Sequence, residues 1–314
     1  MIMAQVKKIL ATPRSFAKED QTPLRMLEDA GYTVVRNPAG QILTKEQMIE
    51  HLQGCVGVII GVDPMDADVI NSASDLKVIS KYGVGTDNID TEAAKLRNIA
   101  VTITSGANSD AVADYAFALM MAAARRIIPI DRTCRARDWS KQTSLDVYGA
   151  TLGILGLGAI GKGVAVRGAA GFRMKVLAYD LYWDDEFAAR FSIRRAAPDE
   201  IYKECDFISL HLPLTSETRG MIGAKQFGMM KPTAVLVNTS RGGIIDEPAL
   251  VEALKSKRIY GAGIDVFEQE PPTLEGLYGL DNLIMGSHTA ASTAGATKNM
   301  GIMAAENILK NLRG

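Results

Sequence analysis

The sequence is short of cysteine and histidine, with three of each in 314 residues. Cys55, Cys134 and Cys205 are scattered, with no CxxC pair and no histidine at ligand spacing. Neither a disulfide framework nor a zinc site is expected, and no metal is assigned. So sparse a set fits a reducing compartment, and a cytoplasmic protein is expected. An excess of either charge is also missing: 35 Lys and Arg stand against 36 Asp and Glu, a formal net charge of -1. No nucleic acid and no membrane surface are therefore expected as partners. No unbroken apolar run reaches the roughly 18 residues that a membrane span needs. The opening "MIMAQVKKIL" lacks the shape of a signal peptide and reads as a first strand.

What the chain does have is alternation. Short β-branched runs take turns with helical patterns, the mark of parallel sheets. The first hundred residues offer the strands "VKKILAT", "YTVVR", "VGVIIG", "LKVIS" and "IAVTI". A second series offers "TLGILG", "MKVLAYD", "DFISLHL", "AVLVNTS", "YGAGIDV" and "NLIMGSH". Their near-continuous apolar character suits strands covered on both faces. Between the series, Ala113, Phe117, Met120, Met121 and Ala124 recur at helical spacing, a stripe destined for a core or a subunit interface. The polar segment that follows, carrying Trp139, reads as an arm or linker. The C-terminal "AGATKNMGIMAAENILKNLRG" is an amphipathic helix that periodicity alone assigns to neither half.

Four glycines crowd the stretch "ILGLGAIGKG" directly after an apolar strand and before a helical pattern. In Gly156-x-Gly158-x-x-Gly161 the first glycine permits a tight turn and the second lets the backbone approach a pyrophosphate. The third allows close packing of helix on strand. The helix N-terminus, with Ala159 and Ile160, then attracts the anion. The next strand ends in Asp180, placed to accept hydrogen bonds from ribose hydroxyls and to repel a 2′-phosphate. NAD is the expected cofactor.

Of the three histidines, His51 reads as a solvated helix residue. His211 follows a strand of the second series and suits a structural place or the cofactor site equally. His288 comes just after the last strand, where open α/β sheets place their ligands. Arg241 and Glu270 follow two other strands of that series. Together the three suit one reaction. Arg241 offers a planar fork for a carboxylate and polarises a neighbouring carbonyl. His288 can pass a proton to or from the oxygen, and Glu270, if bonded to His288, fixes its tautomer.

The stretches "KYGVGTDNID", "GANSDAVADYAFALMM", "TLGILGLGAIGKG", "SLHLPLTSETRGMIG", "NTSRGGIIDEPAL", "GIDVFEQEPP" and "SHTAAST" occur in this order over most of residues 76–300. In them the chain closely resembles the D-isomer-specific 2-hydroxyacid dehydrogenases. The resemblance implies two doubly wound parallel-sheet α/β domains, a Rossmann NAD-binding domain (103–289) inserted in a flavodoxin-like substrate domain (1–102 plus 290–314). It carries Arg241, Glu270 and His288 over as the catalytic set. Val84 and Gly85 would meet the substrate carboxylate through backbone N–H groups, with Asn108 and Arg241 also at the substrate. Leu212, Thr239, Ser240 and Asp265 would join Gly156, Gly158, Ala159, Ile160, Gly161 and Asp180 around the cofactor. A homodimer through the NAD-binding domain is implied, which would use the Met120–Met121 stripe and the Trp139 arm. Two departures stand out. Ser287 replaces the usual proline before the histidine and is expected to loosen its presentation, and Asp114 replaces a glutamate.

"TPRSF" and "GVDP" resemble a phosphoglycerate dehydrogenase-like branch. The expected substrate is a short 2-oxo or 2-hydroxy acid, 3-phosphoglycerate-like acids among them, and Arg14 and Lys81 read equally as anchors for a distal anion or as plain surface charges. The alternatives are a glyoxylate or hydroxypyruvate reductase and, in another class, an NAD-dependent corepressor-like binding module. The intact Arg–Glu–His set favours an enzyme. A formate dehydrogenase-type activity is disfavoured, since that branch has glutamine where Glu270 stands.

Overall fold

The computed structural model describes residues 7–313, so the first part of the opening stretch, 1–6, lies outside the described residues. The chain divides into two compact units. One ends at Asn108 and resumes at Ser292; the other runs from Ser109 to Ala291.

The described residues of the first unit hold five parallel strands: β1 (Lys8–Ala11), β2 (Thr33–Arg36), β3 (Cys55–Ile60), β4 (Val78–Lys81) and β5 (Ala100–Ile103). Their spatial order is β2-β1-β3-β4-β5, so the winding reverses between β1 and β3. One face packs Leu10, Val58, Ile60 and Ile79 on the helices Lys45–His51 and Ala67–Ser72. The other face is closed by the helix Ala294–Arg313, whose Ala304, Ala305 and Ile308 join Ile9, Ile59 and Val78. That settles what periodicity left open, and Gly57 shows how close the fit is. A β-carbon there would stand 3.1 Å from the Ile308 side chain.

The second unit holds seven strands: β6 (Thr151–Leu155), β7 (Lys175–Tyr179), β8 (Arg194–Arg195), β9 (Phe207–Leu210), β10 (Val235–Asn238), β11 (Gly261–Ile264) and β12 (Leu283–Met285). All pair in parallel, in the order β12-β11-β10-β9-β6-β7-β8. A hydrophobic cluster lies on each face, which is why these strands read as continuous apolar runs. The helix Ser109–Ala124 covers one face, and Leu119 sits where a β-carbon on Gly263 would be. Met120 is fully buried in that cluster and Met121 packs against it. The methionine stripe is therefore core of its own unit. Among the described residues, no helix is long and apolar enough to cross a membrane.

Candidate active site

Every proposed group of the second unit follows the carboxyl end of a strand, and in a parallel sheet those ends share one edge. The glycine loop follows β6 and Asp180 follows β7. His211 and Leu212 follow β9, Thr239 to Arg241 follow β10, Asp265 to Glu270 follow β11, and His288 follows β12. The winding reverses between β6 and β9, the switch point where such sheets open a crevice for a ligand.

The glycines are bare for separate reasons. At Gly156, with φ +95°, a β-carbon would lie 2.3 Å from the His211 carbonyl oxygen. At Gly161 it would lie 2.0 Å from the carbonyl oxygen of Gly156, so this helix could not approach its strand otherwise. At Gly158 it would meet nothing within 4 Å. Packing within the chain does not require a glycine at Gly158, and the space before it is open to a ligand. The helix Ala159–Val166 begins there with no side-chain cap, leaving its first N–H groups free for an anion. Asp180 does more than the sequence suggested. One of its oxygens accepts from the Leu157 N–H at 2.6 Å and the other from the Tyr182 N–H at 2.7 Å, so the carboxylate also fastens the glycine loop. Thr239 is buried with its hydroxyl unpartnered among the described residues. Open space at Gly158, uncapped N–H groups and an orphaned hydroxyl fit a dinucleotide. Ser240 is less available, since its N–H and hydroxyl both donate to the Asn238 side chain.

His288 occupies the left-handed region, φ +55°, which a non-glycine residue adopts only when its surroundings impose it. Asp265 imposes it. Its backbone oxygen accepts from the His288 N–H at 2.8 Å. Its buried carboxylate accepts from the N–H groups of Thr289 at 3.0 Å and Ala290 at 2.9 Å. Burial raises the Asp265 carboxyl from its ordinary value, against those two N–H donors. Ser287, expected to loosen the histidine, stands in a loop that Asp265 grips on the far side. A β-carbon on Gly286 would lie 2.0 Å from the Asp265 carboxylate, so the loop tolerates little there.

The His288 Nδ1 is 2.9 Å from Glu270 Oε2, and the other Glu270 oxygen accepts from the Phe267 N–H at 3.1 Å. Burial pushes the Glu270 carboxyl up. The His288 hydrogen bond and charge, the Phe267 N–H and the Arg241 charge outweigh it, and the net direction is down. Glu270 is thus a carboxylate at neutral pH and can only accept, so the proton belongs on His288 Nδ1 and Nε2 is left for a substrate. Arg241 lies close enough for its charge to act on Glu270. Asn238 steadies it, donating to the Arg241 carbonyl at 2.8 Å. Gly242 lets the two loops meet, because a β-carbon there would sit 1.9 Å from the Phe267 oxygen. Sequence reasoning missed Asn238 and Gly242, although both fall in the "NTSRGG" stretch.

Other candidates settle differently. Burial pushes His211 down to about 3. Its Nε2 is 2.8 Å from the Ser209 hydroxyl and its carbonyl backs Gly156, so it is a neutral support for the glycine loop. Leu212 packs against the core cluster beneath. His51 ends its helix, and its carbonyl accepts from the Cys55 thiol. Asp114 pairs with Arg167 at 2.6 Å. In the first unit, Val84 and Gly85 follow β4, and no described residue accepts from their N–H groups. Asn108 is buried with its side-chain oxygen unpartnered among the described residues. Lys81 is buried, its ammonium donating to the Gly61 carbonyl at 2.6 Å and to Asn88 at 2.8 Å, which makes it a poor anchor for a substrate anion. Among the described residues no group of three or more His, Cys, Asp or Glu could hold a metal ion.

Residues 117–290 match the profile described as "D-isomer specific 2-hydroxyacid dehydrogenase, NAD binding domain". A glyoxylate reductase of Korarchaeum cryptofilum is 43% identical over 279 residues, covering 86% of this chain and 84% of the relative. A D-3-phosphoglycerate dehydrogenase of Methanocaldococcus jannaschii is 42% identical over 295 residues, covering 93% of this chain but only 55% of the relative. A crystal structure of a Thermus thermophilus protein superposes with a TM-score of 0.89 at 36% identity, covering 98% of this chain and 97% of that one. The chain therefore belongs to the D-isomer-specific 2-hydroxyacid dehydrogenase family and is an NAD-dependent oxidoreductase acting on the CH–OH group of 2-hydroxy acids.

Proposed function

We propose that the protein interconverts a short 2-oxo acid and its D-2-hydroxy acid, with Arg241, Glu270 and His288 as the catalytic set. The observation that carries this is the His288–Glu270 pair, 2.9 Å apart, with the Arg241 charge acting on the same carboxylate. When bound, the nicotinamide supplies or takes up the hydride at carbon 2. The Arg241 fork holds the substrate carboxylate and draws electron density from the neighbouring oxo group. His288 Nε2 donates the proton that converts the reduced oxygen to a hydroxyl, and takes it back in the oxidative direction. Glu270 keeps Nδ1 protonated throughout. Gly156, Gly158, Ala159, Ile160, Gly161, Asp180, Leu212, Thr239, Ser240 and Asp265 are proposed around the cofactor. Val84, Gly85 and Asn108 are proposed to contact substrate.

Glyoxylate is the first substrate to test, because relatives covered over most of their length carry that name. NADH oxidation would be followed with glyoxylate and larger 2-oxo acids, and the configuration of the larger acids' products determined. A protein that binds NADH yet turns over none of them would overturn the proposal.

A homodimer joined through the second unit is proposed as well. After the helix Ser109–Ala124 this unit exposes Ile127, Ile128, Trp139 and Tyr148, with Trp139 81% exposed. Light scattering of Trp139→Ser beside the unaltered protein tests it. The three unpaired cysteines support a cytoplasmic location.

A further inference from the structure

The carboxyl edge of the first unit carries three loops, and buried polar groups lock them together. Thr12, after β1, donates its hydroxyl to Asp63 and accepts from the Gly61 N–H at 3.1 Å. Asn88, beyond β4, donates to the carbonyls of Gly61 at 3.1 Å and Asp63 at 2.5 Å. Lys81 reinforces that join through the same Gly61 carbonyl. Phe16, fully buried, sets its ring edge-on to Tyr82 with centroids 6.4 Å apart, tying the β1 loop to the residues leading into Val84. The Phe16 carbonyl is itself held by the Arg36 guanidinium at 3.0 Å.

On this clamped turn, between Pro13 and Ser15, sits Arg14. It is exposed, and no described residue supplies it with an acceptor or a carboxylate. Its guanidinium is left to solvent or to a group from outside the chain. Among neighbouring cations, Lys81 is buried and committed, and Lys18 lies beyond the buried Phe16–Ala17 pair. The Val84 and Gly85 N–H groups stand on the other side of β3. Two strand spacings, about 10 Å, separate β1 from β4. One short molecule with an anion at each end can engage both loops once the arginine side chain reaches inward.

We propose that Arg14 is a specificity-determining residue that takes the distal anionic group of a short 2-oxo acid substrate. This rests on the reading of Val84 and Gly85 as donors to the substrate carboxylate. The planar fork suits a phosphate or a second carboxylate. The rigid turn supplies the positioning that such a contact needs.

The test compares kcat/KM with NADH for glyoxylate, for a 3-phospho-2-oxo acid and for a 2-oxo dicarboxylate. Arg14→Gln should lower the ratio of dianion to glyoxylate at least tenfold, chiefly through KM. Arg14→Lys should fall between, and the unaltered protein's preference should weaken with added salt. Whichever dianion loses more identifies the distal group as phosphate or carboxylate. Lys18→Gln should leave the ratio in place. Ratios within twofold of the unaltered protein in Arg14→Gln, for both dianions, would overturn the assignment, as would a larger effect from Lys18→Gln. Either result, with glyoxylate still reduced, leaves the proposed reaction standing. A protein that reduces no 2-oxo acid at all overturns the reaction and the role of Arg14 together.

Discussion

His288 and Glu270 stand 2.9 Å apart on loops from neighbouring strands, β12 and β11, and one loop's Asp265 fixes the backbone of the other. The pair is a tautomer lock. Glu270→Gln keeps the size but presents an acceptor and a donor, so either ring tautomer can be satisfied. We expect kcat to fall by roughly 10²-fold or more with little change in NADH affinity. Near-normal turnover in this variant would mean that the carboxylate does not set the proton's place.

Acid pH gives a second readout of the same carboxylate. The Glu270 pKa lies below its ordinary value in the folded protein, so the group stays ionised further down the pH scale. The sign follows from linkage. Its stabilisation is complete above the unfolded value of about 4.3 and is lost as pH falls through the lower folded value. kcat/KM should show an acid limb below the ordinary glutamate range, and Glu270→Gln should lack it. A limb that persists unchanged in the variant would assign it to another group.

Arg241 and His288 should fail differently. His288→Ala should lower kcat by about 10²–10⁴-fold while NADH still binds, as its fluorescence would report. Arg241→Ala should damage KM and kcat together. Arg241→Lys should rescue little, because an ammonium lacks the fork. If lysine restored most of the activity, bidentate holding would be the wrong description.

The glycines separate structure from cofactor. Gly158→Ala adds a methyl to open space, so the melting temperature should hold while KM for NADH rises at least tenfold. Gly161→Ala and Gly242→Ala push a methyl into backbone, at 2.0 and 1.9 Å respectively. Each should lose about 3–10 °C of thermal stability. Gly242→Ala should also lower kcat, because it displaces the Arg241 loop from the Glu270 loop. A Gly158→Ala protein with unaltered NADH binding would remove the pyrophosphate from that spot.

Asp180 should show two effects at once. Asp180→Ser should relax the preference for NADH over NADPH. It should also weaken binding of both, because the Leu157 and Tyr182 N–H groups lose their acceptors. Asp180→Asn, which keeps one acceptor oxygen, should be milder. An unaltered protein that used NADPH as readily as NADH would contradict the role given to this carboxylate.

Much of the architecture was legible, for identifiable reasons. A strand buried on both faces must be apolar throughout, and eleven such runs could be seen. The strand Arg194–Arg195 could not, since two exposed arginines at a sheet edge carry neither alternation nor apolar character. The catalytic trio was visible because its residue types are scarce, the histidines above all. Its supports were hidden. Asp265 is assigned to the cofactor by resemblance, and only the fold shows that its carboxylate also holds the N–H groups of Thr289 and Ala290. Gly242 and Gly286 matter through atoms far away in sequence, which no local pattern encodes. Lys81 reads equally as an anion anchor or a surface charge in sequence, and the fold instead buries it against Gly61 and Asn88.

The helix Ala294–Arg313 fills the face of the first unit against which Gly57 and Val78 lie, and it is made only after the whole of the second unit has been translated. During synthesis β3 to β5 must wait with that face uncovered, since the helix Thr22–Asp29 lies at the β2 side, while Ser109–Ala291 already has all its parts. The order of birth is thus the reverse of the order of completion. A nascent chain halted just past Ala291 should present a protease-resistant second unit beside a digestible first one.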